Sequence, residues 1–224
     1  MWRDALLVAG KDLRIEARSR VATNQVAPFA VLVLVLFAFA LDPDRGVLTR
    51  AAAGLFWVAV LFSAVLAVQR AQAVESGEGT GDALLLSGLD PAGIFLGKAG
   101  AVAAQLLALE GILGAGVVLL YDVQPAGYPK LAATAVVATF GLAAAGTLYG
   151  ALAAGSRVRE TLLPLLLLPA VAPVLIAATR ASEAALGTGT LAVAAGDWLA
   201  LLGVFAVAYL GFGVVAFGPL MEER

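Results

Sequence analysis

Six long apolar runs, each of a length that can cross a bilayer, take up most of this chain of 224 residues. A hydrocarbon core about 30 Å thick needs roughly 20 consecutive apolar residues in helical form, and inside it a backbone satisfies its N–H and C=O groups only as a helix or a closed barrel. The runs are too long to be barrel strands. The fold class they dictate is an all-α integral membrane protein with six transmembrane helices, a single transmembrane domain over residues 1–224. With 62% hydrophobic and 13% charged residues, no polar stretch is long enough to form a separate soluble catalytic domain.

His and Cys are both absent. That excludes an ordinary zinc site, haem held by imidazole or thiolate, a Cys nucleophile, a Ser-His-Asp triad and any disulfide. Met1 and Met221, close to the two ends, are poor candidates for axial haem ligands. A net charge of −2 implies no strongly charged partner such as nucleic acid. The chain is expected to bind no metal and no cofactor of its own.

Residues 1–20 read as an amphipathic helix and not as a cleavable signal, because charges are scattered through them and no small-residue cleavage pattern follows a short apolar core. Trp2, Leu6, Ala9, Leu13 and Ala17 recur at spacings of three and four, while Asp4, Lys11, Arg14 and Arg18 gather on the opposite side. Such a helix suits the membrane interface, with its apolar stripe in the acyl boundary and its cations at anionic headgroups. The six spans are expected at about 25–41, 51–68, 91–121, 131–154, 161–179 and 197–220. Asp90 reads as the N-cap of the third, with Pro91 at its first helical position. Of the 14 Lys and Arg, ten fall on the amino-terminal side of the membrane and four (Arg45, Arg50, Lys130 and Arg180) on the other, which places both termini in the cytoplasm.

The segment 69–90 is the largest polar excursion. Glu75, Glu78 and Asp82 precede a short apolar run, 83–86, that contains Leu84 and Leu85, and Gly77, Gly79 and Gly81 allow a sharp reversal. A short helix on a tight turn that presents carboxylates would serve a transporter as the place where a soluble ATPase delivers force; a plain solvated loop is the alternative. The chain carries no nucleotide loop of its own. Gly79-Thr80-Gly81 lacks a third glycine and a preceding strand, and Gly93-Ile94-Phe95-Leu96-Gly97-Lys98-Ala99 is one residue short and lacks Ser or Thr after the lysine. Glu110 is the one acidic residue deep inside a span; it is either a relay or substrate contact, or a partner in a single interhelical hydrogen bond to a Thr, Tyr or Gln. Pro164, Pro169 and Pro173 should kink or locally unwind the fifth span, either to line a path or only to bend the helix. Gly146 and Gly150 form a small-xxx-small pair suited to close packing.

Several of these segments resemble the CcmB family, the membrane subunits of the cytochrome c maturation ABC system, also called haem exporter protein B. Lys11-Asp12-Leu13-Arg14-Ile15-Glu16-Ala17-Arg18-Ser19-Arg20 is similar to the family's amino-terminal signature, and Gly54 to Phe62 to its second span. Glu75 to Ser87, with Glu78-Gly79-Thr80 and Asp82 ahead of Leu84-Leu85-Leu86, resembles its acidic loop. Leu168-Pro169 with Pro173, Leu175, Ile176 and Thr179 resembles its fifth span. Gly81 stands where relatives usually carry an apolar residue and Gly88 where they often carry proline, which implies a more flexible coupling loop. The resemblance implies six spans with cytoplasmic termini in the bacterial inner membrane. It also implies a partner ATPase, CcmA, that binds the ATP, together with the partners CcmC and CcmD and, indirectly, the periplasmic chaperone CcmE that receives haem. ATP hydrolysis would drive release of haem-loaded chaperone, and haem would concern this chain only through its partners, since it also lacks the tryptophan-rich haem-handling motif of CcmC. An ABC architecture needs two membrane halves, supplied by two copies of this chain or by one beside CcmC. The rival readings are a generic ABC-2 type permease for a lipid or small molecule, and a proton-coupled secondary transporter using Glu110.

Overall fold

The computed structural model of the chain describes residues 1–20, 22–41, 45–76, 88–123, 127–154, 158–188 and 195–222. Among them every regular element is helical: α1 (Trp2–Ser19), a π-helical turn at Ala22–Val26, α2 (Ala27–Leu41), α3 (Arg45–Ser76), α4 (Pro91–Tyr121), α5 (Tyr128–Ala154), α6 (Arg159–Leu186) and α7 (Ala195–Glu222). The six from α2 to α7 are long and apolar enough to cross a membrane. Large apolar side chains such as Leu119 (82%), Phe39 (77%) and Val215 (77%) point outward on these helices. That inversion of the soluble pattern fits a lipid surround and makes this a multi-pass membrane protein.

Helix ends follow local chemistry. Asp90 caps α4 as its sequence predicts, its Oδ1 accepting the Ala92 N–H at 3.0 Å, with Pro91 at the first turn. Two helices outrun their expected limits. α3 continues through Gln69, Arg70 and Gln72 to Ser76, so Glu75 lies on its last turn and not in a loop. α6 continues past Thr179 to Leu186 because Arg180 to Ala185 contains no breaker. Arg180 pairs with Glu183 at 2.8 Å, and Gly187, at φ 72°, closes the helix in the left-handed region. Pro164, Pro169 and Pro173 lie inside α6, yet the helix runs through them without unwinding.

The spans alternate in direction. Thr49, near the start of α3, donates to the carbonyl of Tyr121 at the end of α4. Gly127, ahead of α5, abuts Ala185 at the end of α6, and Gly218 near the end of α7 lies against Pro91 at the start of α4. Residue 1 sits beside Asp90, so α1 and the end of α7 share one face of the bundle. α5 is the central helix: every residue from Gly141 to Leu148 is buried, around its whole circumference. Its small residues admit α3, α4, α6 and α7 at once. Trp57, Leu34, Leu113, Tyr121, Leu142, Leu167 and Leu202 fill the space between.

Candidate functional site

Three regions hold the residues that could do chemistry or carry force, and α1 is the first. Ala5 and Val8 are buried against α4. They fit there because α4 presents Gly93 and Gly97. A Cβ on Gly93 would fall 2.7 Å from the carbonyl oxygen of Met1, and one on Gly97 would fall 2.6 Å from that of Ala5. Those obstacles are backbone and cannot give way. The stretch 93–98 is thus a docking ridge inside a helix, covered by another helix, and cannot cradle a phosphate. The Met1 amino group lies 3.2 Å from Asp4 Oδ2 and 3.4 Å from Asp90 Oδ2. The Asp90 N–H also donates to Asp4 at 3.4 Å. The bond from the amino group, aided by that N–H, holds the Asp4 carboxyl below its ordinary range.

α1 therefore has three faces where its sequence suggests two. Ala5 and Val8 meet α4. Trp2, Leu6 and Leu13 stay exposed, as a stripe destined for lipid would. On the remaining side Arg14 and Arg18 are exposed, and Lys11 Nζ pairs with Asp12 at 2.9 Å. The docking face escapes a reading of the α1 sequence because its residues are small; the signal that points to it is the small-residue ridge Gly93-xxx-Gly97-xxx-Ala101 on the partner helix.

The second region is the connection between α3 and α4. Glu75 is placed by its backbone at the end of α3. Its side chain, and the whole of Glu78, Gly79, Asp82, Leu84 and Leu85, lie outside the described residues. The connection leaves at Ser76 and returns at Asp90, beside Asp4 of α1.

The third region is the interior. Thr139 of α5 donates to Oε1 of Glu110 on α4, a single interhelical hydrogen bond of the kind expected for a lone carboxyl at depth. Its Oε2 is buried and finds no partner among the described residues. Glu110 forms part of the wall of a largely apolar cavity of about 740 Å³ between α3, α4, α5 and α6. Trp57 crosses the same region and donates from Nε1 to Ser182 Oγ at 3.0 Å. Pro169 and Pro173 flank Ala170 on α6, whose carbonyl accepts the hydroxyl of Tyr209 from α7, so the proline-bearing stretch is tied to the last span. Among the described residues no three acidic groups cluster as a metal site would require.

The profile of a family described as CcmB protein matches residues 3–222. Heme exporter protein B of Haemophilus influenzae is 32% identical over 218 residues, covering 96% of this chain and 93% of that protein. Heme exporter protein B of Paracoccus denitrificans is 33% identical over 176 residues, 77% of this chain and 78% of that protein. The protein of the same name from Rhodobacter capsulatus is 31% identical over 74% of this chain and 76% of its own length.

Proposed function

The chain belongs to the CcmB family, and on that premise we propose that it is the membrane subunit of a haem-exporter-type ABC complex in which a separate subunit, CcmA, hydrolyses ATP. The observation that carries the reading is the family match along 3–222 on a chain with six spanning helices. The one lysine-bearing glycine stretch in those helices is occupied by α1, so hydrolysis falls to a partner. The energy of hydrolysis is coupled to release of the haem-loaded chaperone CcmE, with CcmC and CcmD completing the assembly. Haem is a group its partners handle: a chain without His or Cys offers it no ordinary axial ligand.

The bundle end that carries α1 faces the cytoplasm, and the protein resides in the bacterial inner membrane; the excess of Lys and Arg on that side supports the orientation. CcmA docks there on Glu75, Glu78 and Asp82 with the apolar run of Leu84 and Leu85. The return of that loop beside Asp4 supports a surface shared with α1. Motion passes outward through α6, whose proline stretch is tied to α7 by Tyr209. Glu110, bonded to Thr139, is a packing group in this reading and not a proton carrier.

The test is co-purification. Glu78→Lys with Asp82→Lys should strip CcmA from the membrane subunit while the subunit's own yield is unchanged. Normal recovery of CcmA with the double variant would remove the assignment of this site. Glu110→Gln should leave cytochrome c maturation intact, and its loss would favour the proton-coupled alternative.

A further inference from the structure

A second cavity, of about 560 Å³, opens between the π-helical turn, α2, α3, α5 and α6 at the α1 end of the bundle. Its volume is in the usual range for small-ligand sites, and its chemistry is divided. Arg70, Gln25, Gln69 and Gln72 supply polar groups to its wall, and Phe29 and Leu66 supply apolar ones. Gln72 is seated by Gly150, where a Cβ would stand 2.8 Å from its Nε2, so this part of the wall is built by close packing.

Arg70 is the one charged residue among those lining the cavity that are described. Its Nε is buried and meets no acceptor among the described residues. Glu16 of α1 lines a separate small gap together with Arg70, and it is not among the residues that line the cavity. Arg70 also lines the cavity, and an oxyanion is the group that the planar fork of a guanidinium is shaped to receive. Beyond the cavity an apolar track leads away. Phe29 and Leu66 are both exposed, Phe62 lies one turn from Leu66 on the same face of α3, and Phe29 and Phe62 meet edge to face with ring centroids 6.5 Å apart. That track runs along the outside of the spans, where acyl chains lie.

We propose that this cavity binds the phosphate of an anionic membrane lipid through Arg70 and the glutamines, with an acyl chain laid along Leu66, Phe62 and Phe29. The bound lipid would fix the register of α2 against α3 and make the protein's behaviour depend on the anionic lipid content of its own leaflet.

The experiment uses the full chain in detergent, delipidated and offered phosphatidylglycerol or phosphatidylcholine, with retained lipid counted by native mass spectrometry. Wild type should keep phosphatidylglycerol about ten-fold better, Arg70→Lys should keep part of that preference, and Arg70→Gln should abolish it. An unchanged preference in Arg70→Gln would overturn the site. Inorganic phosphate at millimolar concentration should not displace the lipid; displacement would mean that a free anion is the ligand and overturn the lipid assignment. A photoreactive phosphatidylglycerol on the wild-type protein covers the case in which Arg70→Gln does not fold. It should label peptides containing Phe29 or Phe62, and equal labelling around Leu119 and Val215 would overturn the proposal.

Discussion

Two pairs of glycines, Gly93 with Gly97 on α4 and Gly146 with Gly150 on α5, are each four residues apart, and both bring a neighbouring helix close. What they admit differs. At Gly146 an added Cβ would meet the side-chain tip of Val68, 2.6 Å away, and at Gly150 it would meet Gln72 and Val68. At Gly93 and Gly97 it would meet carbonyl oxygens of α1. The first seam locks two spans together, and between membrane helices close packing is itself what holds them. The second fastens a charged helix that is not a span to the start of one that is. A seam against side chains has some room to repack; a seam against backbone has none. Yet α1 packs chiefly on α4, so its release should leave the spans folded, whereas a misfit of α3 on α5 falls on the buried middle of the central helix.

The comparison breaks if the two seams respond alike. The largest effect is expected from Gly146→Leu, which forces a branched side chain into the most buried stretch of α5. Overpacking of this kind is unfavourable by roughly 1–3 kcal/mol or more, and a fall in thermal midpoint with poor recovery of folded protein should report it. Gly97→Leu should instead leave the midpoint of the six spans close to wild type while α1 becomes sensitive to protease near Arg14 and Arg18. Equal loss of folded protein in both variants would erase the distinction. Trp57→Phe removes the donor to Ser182 and should lower stability by about 1 kcal/mol, read as a modest shift in the same melt.

The smallest effect concerns Asp4. Its carboxyl is held below the ordinary range by the Met1 amino group and the Asp90 N–H. Its contribution to docking is thus present at neutral pH and disappears as pH falls through that lowered value. Acid should loosen α1, read by proteolysis, in wild type more than in Asp4→Asn, which begins loosened.

The parts of the fold written in long hydrophobic runs are legible in the chain itself. The six spans, the cap at Asp90 and the packing role of Gly146 and Gly150 follow from run length, one side chain and one spacing. The docking of α1 is not legible in that way, since its contact face is made of Ala5 and Val8 while the conspicuous residues Trp2, Leu6 and Leu13 stay outside. Arg70 and Gln72 read as part of a loop because they are polar. Helix propensity without a glycine or proline up to Ser76 carries them instead into α3, and tertiary packing gives them a place in a wall. For Glu78 and Asp82 the sequence supplies only a pattern of carboxylates ahead of an apolar run, and contact with a second protein is not written in one chain.

The most direct test of the central claim is made in a strain lacking this chain, by measuring covalent haem in its c-type cytochromes together with haem bound to the periplasmic chaperone. A membrane subunit that couples ATP hydrolysis to chaperone release predicts loss of all c-type cytochromes while haem-loaded chaperone accumulates. Normal c-type cytochromes in that strain would contradict the account.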